Sequence, residues 1–140
     1  MTPAREYASA DLAVSFDGER CIHSAVCLRG LPEVFDTGRR PWILPQAASA
    51  DAIAAVISRC PSGALQYRRL DGGPDETPDA EASAVAVRDG PLYVRGDIEL
   101  QDPEGHVVAR VNRAALCRCG HSERKPFCDN SHRRVGFRAP

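Results

Sequence analysis

The six cysteines of this 140-residue chain constrain it most, because they fall into two separate groups. We expect a cytoplasmic location, since residues 1–10 carry no signal-peptide pattern and no apolar run approaches the roughly 20 residues of a membrane span. A reducing cytoplasm disfavours structural disulfides, so the cysteines indicate metal binding or catalysis. The two groups are Cys21, Cys27 and Cys60, and Cys117, Cys119 and Cys128.

An acidic segment, DGGPDETPDAEAS at residues 71–83, separates the two groups. It holds five acidic residues, no basic residue and no large apolar side chain, a composition typical of an exposed linker. We therefore predict one domain at residues 1–70 and another at residues 84–140. The whole chain has 18 basic and 19 acidic residues, which gives no reason to expect a nucleic-acid or membrane partner.

The first half predicts a small α+β domain. Alternating apolar residues favour a strand at residues 12–16, and residues 42–44 read as an extended piece between two prolines. Ser49 is placed to cap a helix that runs to about Arg59, with Ile53, Val56 and Ile57 on one face. A short strand is expected at residues 64–67.

The second half predicts a β-rich domain. Short strands are expected near residues 85–87, 92–94, 98–100 and 107–111. The pairs Asp89-Gly90 and Glu104-Gly105 are turn signals between them. Residues 135–137 are expected to supply a last strand, so the fold class is α+β throughout.

The second cysteine group carries the more specific motif, CRCGHSERKPFCDNSH at residues 117–132. Three thiolates and one imidazole suit either a zinc site or an iron–sulfur cluster. Paired cysteines in zinc sites are usually two to four residues apart, whereas one residue separates Cys117 from Cys119. On an extended segment these two sulfurs share a face, and Cys128 and His132 share a face of a helical turn. Each pair would then bind one iron of a two-iron cluster.

This stretch closely resembles the CDGSH iron–sulfur family, also called NEET proteins, whose motif is C-x-C-x2-(S/T)-x3-P-x-C-D-G-(S/A/T)-H. The resemblance covers about residues 84–140 and implies a β-rich scaffold with a [2Fe–2S] cluster bound by Cys117, Cys119, Cys128 and His132. Asn130 stands at the family's glycine, and we expect it to adopt a positive φ angle. Asp129 is expected to cap the turn that carries His132. The matching positions are Cys117, Cys119, Ser122, Pro126, Cys128, Asp129, Ser131 and His132.

A histidine ligand has two expected consequences. It removes the negative charge of one thiolate, so the reduction potential should exceed that of an all-cysteine cluster. Protonation of His132 should also loosen the cluster in acid, and the NEET family is similar in both respects. Arg124 and Lys125 add positive charge that favours the reduced cluster.

The first cysteine group partly matches the bacterial ferredoxin pattern of three clustered cysteines and a remote Cys-Pro. Ser24 takes the place of the second cysteine, with His23 beside it. Cys21, Cys27 and Cys60 can hold a [3Fe–4S] cluster, or a [4Fe–4S] cluster if His23, Ser24 or water covers the fourth corner. From these residues alone, three incidental thiols are an equal alternative.

The segments CIHSAVCLRGLPEVFD, RRPWILP and CPSGALQY resemble divergent mono-cluster ferredoxin domains, related to actinobacterial ferredoxins that serve cytochromes P450. The resemblance covers about residues 10–70. It implies a single cubane-type cluster bound by Cys21, Cys27 and Cys60.

Together these features predict a two-cluster electron-transfer protein, with reductase- or oxygenase-type proteins as redox partners. No phosphate-binding loop, nucleophile elbow or H-E-x-x-H motif is present, so we expect no enzyme activity. An alternative is a cluster carrier or redox sensor that acts on apo iron–sulfur proteins. A zinc-stabilised interaction module, or a chain in which only the second half binds a cluster, are further alternatives. The NEET resemblance also allows a homodimer.

Overall fold

The computed structural model describes residues 4–140; residues 1–3, which belong to the predicted first domain and to the N-terminal segment without a signal-peptide pattern, lie outside the described residues. The chain divides into two compact units. One holds the described residues up to Cys60 together with Ala64–Glu76, and the other holds Pro61–Gly63 and Thr77–Pro140. Each contains a three-stranded antiparallel sheet, with short helices in the first unit and one helical turn in the second, which confirms the α+β class. Within residues 4–140, no helix has the length and apolarity to cross a membrane.

The first unit packs two helices near a sheet in which β2 is central. Strand β2 and helix α2 supply half of the residues in its buried cluster, including Leu12, Val14, Ile53 and Ile57. The strand predicted at residues 12–16 is confirmed, whereas β1 was not predicted because its sequence, REYA, shows no apolar alternation. The elements are β1 (Arg5–Ala8), β2 (Leu12–Phe16), α1 (Val26–Gly30), a 3-10 turn (Pro45–Ala47), α2 (Ala50–Ile57) and β3 (Leu65–Arg69).

Helix α2 delivers Cys60 to the core of this unit. The Ser49 Oγ accepts the Ala52 N–H at 3.1 Å, which confirms the predicted cap. The helix ends at Ile57, two residues before the predicted end. The Cys60 N–H donates to the Ile57 carbonyl at 2.9 Å, so the chain already turns there. Cys60 is consequently buried directly after the helix.

The second unit is a β-meander followed by a loop and one helical turn. Two of the predicted short strands are a single ten-residue strand, β5, whose pairing with β6 shifts between Arg95 and Ile98. Val94, Val111 and Ala114 form a buried cluster in this unit, and Ala115 and Cys128 are buried as well. The elements are β4 (Ser83–Ala86), β5 (Leu92–Gln101), β6 (Val107–Leu116) and α3 (Ser131–Arg134).

The strand predicted at residues 135–137 is wrong. The Val135 N–H donates to the Ser131 carbonyl at 3.1 Å, and the Phe137 N–H donates to the His132 carbonyl at 3.0 Å. These bonds close the end of α3 and leave neither donor for a sheet. Phe137 instead lies under the guanidinium of Arg118, 5.4 Å from its ring centre.

Candidate metal centres

Cys117 and Cys119 lie in the loop that follows β6. Their sulfurs are 3.8 Å apart, so the pair faces one point. The Cys117 N–H donates to the Pro126 carbonyl at 2.9 Å, and the Cys128 N–H donates to the Ala115 carbonyl at 2.8 Å. These two bonds lay the segment that contains Cys128 against the end of β6. The third thiol is thereby brought to the first two.

Cys128 and His132 form the second donor pair. The Cys128 sulfur lies 3.6 Å from Nδ1 of His132, and the two residues are 4% and 8% exposed. Asn130, between them, has φ 69° and ψ 9°, which confirms the expected left-handed conformation at the family's glycine position. This conformation lets the Asn130 N–H donate to the Cys128 sulfur at 3.3 Å.

Asp129 ties together the two loops that carry the donors. Its carboxylate accepts the Ser131 N–H and the Glu123 N–H, each at 3.0 Å. The Ser131 bond is the expected contact at the start of α3, although the residue in the capping position is Asn130. Burial opposes ionisation of Asp129, but these hydrogen bonds outweigh it and lower its pKa to about 2.

The Cys117 and Cys119 thiolates influence the ionisation of Cys128. Burial raises the pKa of Cys128, and the Cys117 and Cys119 thiolates raise it further. The hydrogen bond from the Asn130 N–H acts in the opposite direction but is outweighed. Burial also acts to raise the pKa of Cys117, but backbone N–H groups of Ser122 and Gly120 outweigh it, so the net shift is downward. Such N–H donors favour the thiolate, which is the form that binds metal.

The surroundings of His132 also favour the form of its side chain that binds metal. Burial lowers the pKa of His132, and the positive charge of Arg133 lowers it further, against the opposing effect of Asp129. The ring is therefore neutral at neutral pH, which is the state that coordinates metal.

Arg118, between the two paired cysteines, is a structural residue that sequence reasoning missed. Its Nε donates to the Gly90 carbonyl at 2.9 Å, and its Nη2 donates to the Val87 carbonyl at 2.6 Å. A third bond, at 3.3 Å, reaches the carbonyl of Pro140. Its position in the sequence could have indicated this role, because the middle residue of an extended C-x-C points away from both sulfurs. Arg118 therefore fastens the cysteine loop to the turn before β5.

The first unit brings Cys21, Cys27 and Cys60 together at its core. Cys60 belongs to the buried cluster, and Cys21 and Cys27 pack against it. Burial raises the pKa of Cys27, and the thiolates of Cys60 and Cys21 raise it further, so the three sulfurs influence one another. None of the six cysteines, all of which lie in the described residues, forms a disulfide.

The loop between Cys21 and Cys27 has an unusual backbone. His23 and Ala25 both adopt positive φ angles, 57° and 64°, on either side of Ser24. The His23 N–H donates to the Cys21 sulfur at 3.4 Å, while its side chain is exposed. The Ser24 carbonyl accepts from Nη2 of Arg29 at 3.1 Å, which holds the loop against α1. The loop therefore curls around its first cysteine.

The donors of the second unit lie in two close pairs. Among residues 4–140, no three histidine, cysteine, aspartate or glutamate side chains are grouped so as to hold one metal ion. A tetrahedral zinc site needs four donors around one ion. A two-iron cluster takes two protein ligands on each iron, and a cubane takes one thiolate on each. Pairs at 3.8 Å and 3.6 Å suit the first of these clusters.

Comparison with known proteins finds a different family model for each half of the chain. The family model "Divergent 4Fe-4S mono-cluster" matches residues 7–70, and the model "Iron-binding zinc finger CDGSH type" matches residues 89–133. The chain is 41% identical over 64 residues to YjdI, an uncharacterized protein of Escherichia coli strain K12. That match covers 46% of this chain and 84% of YjdI, and the O157:H7 protein gives the same figures. Both predicted resemblances are confirmed in the predicted order, and the chain belongs to the same family as YjdI, with a divergent 4Fe-4S mono-cluster domain in its first half and a CDGSH-type iron-binding domain in its second.

Proposed function

We propose that this chain is an electron-transfer protein with two iron–sulfur clusters. The observation that carries the proposal is the paired geometry of the C-terminal donors, with sulfurs 3.8 Å apart in one pair and sulfur and nitrogen 3.6 Å apart in the other. The ligands would be Cys117, Cys119, Cys128 and His132 for a [2Fe–2S] cluster, and Cys21, Cys27 and Cys60 for a [3Fe–4S] or [4Fe–4S] cluster.

Backbone donors aimed at sulfur support a redox role in both units. The N–H groups of His23, His121 and Asn130 lie 3.4, 3.4 and 3.3 Å from the sulfurs of Cys21, Cys119 and Cys128. Hydrogen bonds to sulfur stabilise added negative charge and are a main control of cluster potential. Because the donors are backbone groups, their positions are set by the fold before any electron arrives.

In this proposal a bound cluster supplies one-electron chemistry, and the protein positions and tunes it. His132 directs Nδ1 toward the Cys128 sulfur, which leaves Nε2 to hold a proton. Asp129 holds the two donor loops together, and Arg118 anchors the Cys117–Cys119 segment. None of these residues is proposed to act on an organic substrate, so the protein would not be an enzyme. Its partners would be reductase- or oxygenase-type proteins, and cysteines that form no disulfide suit the cytoplasm.

A cluster carrier or redox sensor is the second candidate, and one observation favours it. Cys117 and Cys119 are half-buried in a loop without helix or strand, whereas Cys128 and His132 are buried. A partner protein can therefore reach one donor pair while the other still holds iron. Incubation with an apo-ferredoxin separates the roles, because a carrier transfers the C-terminal cluster intact and an electron-transfer protein retains it.

The proposed function is tested on protein purified without oxygen. Iron and sulfide are counted per chain, and electron paramagnetic resonance spectra are recorded before and after reduction. A [3Fe–4S] and a [2Fe–2S] cluster give about five irons, a signal when oxidised and a second signal on reduction. A [4Fe–4S] and a [2Fe–2S] cluster together give about six irons per chain. If a His23→Ala variant then falls to about five irons, His23 is the ligand at the fourth corner of the cubane. A colourless protein that contains zinc contradicts the proposal.

A further inference from the structure

Positive charge is concentrated in the segment that holds the C-terminal donors. Residues 117–140 contain six basic and two acidic residues, whereas the remainder of the chain contains 12 basic and 17 acidic residues. A chain with a net charge of −1 therefore has one strongly cationic segment. Such segregation creates a local potential that the overall charge does not reveal.

Four exposed cations flank the donors within this segment. Arg124 and Lys125 lie in the loop between Cys119 and Cys128, and Arg133 and Arg134 lie on α3 beside the buried His132. We call these four residues the cationic rim. Arg133 is close enough to His132, and Arg124 to Asp129, for each charge to lower the pKa of its neighbour.

The loop that carries Arg124 has a defined position. The Ser122 Oγ donates to the Phe127 carbonyl at 2.6 Å and accepts the Arg124 N–H at 3.0 Å. Ser122 is buried, so this contact is internal to the loop. The backbone of Arg124 is therefore held by the same loop that connects Cys119 and Cys128.

Only two acidic side chains, Glu123 and Asp129, lie in the segment that carries the rim. The Asp129 carboxylate already accepts two backbone N–H groups, and Glu123 is the one exposed carboxylate within residues 117–140, all of which the structure describes. Arg134 donates to the Ser131 hydroxyl, an uncharged group, at 3.4 Å. Exposed pairs contribute little energy, so a partner's carboxylates can compete for the rim.

We propose that the cationic rim docks an acidic face of the protein that exchanges electrons with the C-terminal site; this inference rests on the proposed function. The exposed side of the site is the side on which Cys117 and Cys119 remain half-buried, and a redox partner must approach there. Charge complementarity raises encounter rates while leaving the complex short-lived, as repeated electron exchange requires. A nucleic-acid partner is disfavoured because the rest of the chain is acidic and Phe127 and Phe137 are only partly exposed.

Two small oxidants of opposite charge test the docking field on the intact, cluster-loaded protein. After reduction with dithionite, one electron passes from the reduced [2Fe–2S] cluster to hexacyanoferrate(III), an anion, or to tris(phenanthroline)cobalt(III), a cation. Samples are frozen rapidly at successive times, and the loss of the cluster's paramagnetic resonance signal is measured in each. The ratio of the two rates isolates electrostatics, because a changed potential moves both rates in the same direction. We expect Arg133→Glu with Arg134→Glu to lower the anion-to-cation ratio about tenfold or more.

A matched control has the same change in net charge. Arg5→Glu with Arg68→Glu reverses two exposed arginines on strands of the other unit, and it should leave the ratio within about twofold. The advantage of the anion should also decrease as salt shortens the Debye length. Equal ratios in both double variants would overturn the proposal, because they would show that only total charge matters.

A binding measurement separates this inference from the proposed function. At pH 7 a cation exchanger should retain the wild-type protein and the Arg5/Arg68 variant but not the Arg133/Arg134 variant. If none is retained, the rim proposal is wrong even when the clusters transfer electrons. If the protein contains no iron, the proposed function fails while the retention still reports on the rim. Binding of a 20-base-pair DNA duplex that depends on Arg133 and Arg134 would overturn the acidic-protein partner in favour of nucleic acid.

Discussion

Four residues other than glycine adopt positive φ angles within residues 4–140, and three of them lie in the cysteine loops. These three are His23, Ala25 and Asn130. A left-handed conformation costs an L-residue about 1–2 kcal/mol and persists only where the surrounding structure demands it. Here the N–H groups of His23 and Asn130 are directed at cysteine sulfurs. The left-handed backbone at His23 and Asn130 therefore allows their N–H groups to donate to cysteine sulfurs.

Substitution of Asn130 tests this account. Asn130→Ala should lower the free energy of unfolding by about 1 kcal/mol, because alanine tolerates φ 69° less well than asparagine. Asn130→Gly is the matched control and should cost close to nothing, since glycine adopts this conformation freely. Denaturant unfolding of the cluster-loaded protein gives both values. Equal losses in the two variants would contradict the conformational explanation.

Replacing the histidine donor tests the assignment of His132. His132→Cys should retain iron and lower the midpoint potential of the C-terminal cluster by about 100 mV or more, because it adds a thiolate charge. His106→Cys, on the exposed turn between β5 and β6, makes the same exchange without reaching the donors. Potentiometric titration followed by paramagnetic resonance measures both variants. An unchanged potential in His132→Cys would show that His132 is not a ligand.

At the scale of elements, the bulge in β5 explains why one strand reads as two. Gly96 has φ 129°, and an added Cβ would lie 2.8 Å from the Cα of Ala82. Its missing side chain lets the segment before β4 pass directly over the strand. Local alternation of apolar residues is broken at this point, although pairing with β6 continues on both sides.

Gly96→Ala should therefore lower the free energy of unfolding by about 2 kcal/mol or more, since backbone strain and a backbone clash combine. Gly105→Ala is a control for strain alone, because Gly105 has φ 88° and an added Cβ there would meet no atom within 4 Å. That variant should cost about 1 kcal/mol. Thermal or denaturant unfolding compares them. If both variants lose the same free energy of unfolding, the clash with Ala82 contributes nothing to the effect of Gly96→Ala.

At the scale of the whole molecule, the acidic segment is fastened at both ends. Residues 71–82 contain no helix or strand, but Nη2 of Arg69 pairs with Asp71 at 2.7 Å, and the Arg69 N–H donates to Asp75 at 2.6 Å. Further along, Asp79 pairs with Arg95 at 2.9 Å. Each end is thus bound to an arginine of its own unit. The segment that reads as a plain linker also contributes ion pairs to both units.

The ion pair of Asp71 with Arg69 should make the stability of the fold depend on pH. Hydrogen bonds from Arg69, followed by one from the Gly73 N–H, lower its pKa from 3.8 to about 2. The lowered pKa stabilises the fold above about pH 4, and the contribution is lost as pH falls toward 2. Wild type should therefore exceed Asp71→Asn in stability at pH 6, with the difference shrinking between pH 4 and 2. Glu104→Gln, an exposed carboxylate with the same charge change, is the control in urea unfolding at each pH.

Cysteine substitutions test whether the two units hold their clusters independently. Cys60→Ala should abolish the cubane-type paramagnetic signal and leave the signal of the C-terminal cluster intact. Cys128→Ala should have the opposite result. Iron counts before and after each change accompany the spectra. Loss of both signals in either variant would show that one unit folds only when the other is loaded.

Features that depend on a few neighbouring residues were predictable from the sequence. Ser49 and the apolar spacing of Ile53, Val56 and Ile57 predicted α2, because a helix is capped and patterned within one or two turns. The asparagine at a glycine position predicted the left-handed Asn130. The close C-x-C pair and the i, i+4 spacing of Cys128 and His132 predicted paired donors for the same local reason.

Features that depend on distant residues were decided by the tertiary structure. The end of α3 uses the backbone donors that a strand at residues 135–137 would have needed. Contacts 28 and 31 residues away along the chain fix the role of Arg118, and a neighbour 14 positions before Gly96 explains its bulge. The sequence alone therefore determined which donors this protein carries and how they pair locally. Only the fold decided which backbone groups surround them, because those hydrogen bonds join segments that have no local signal in common.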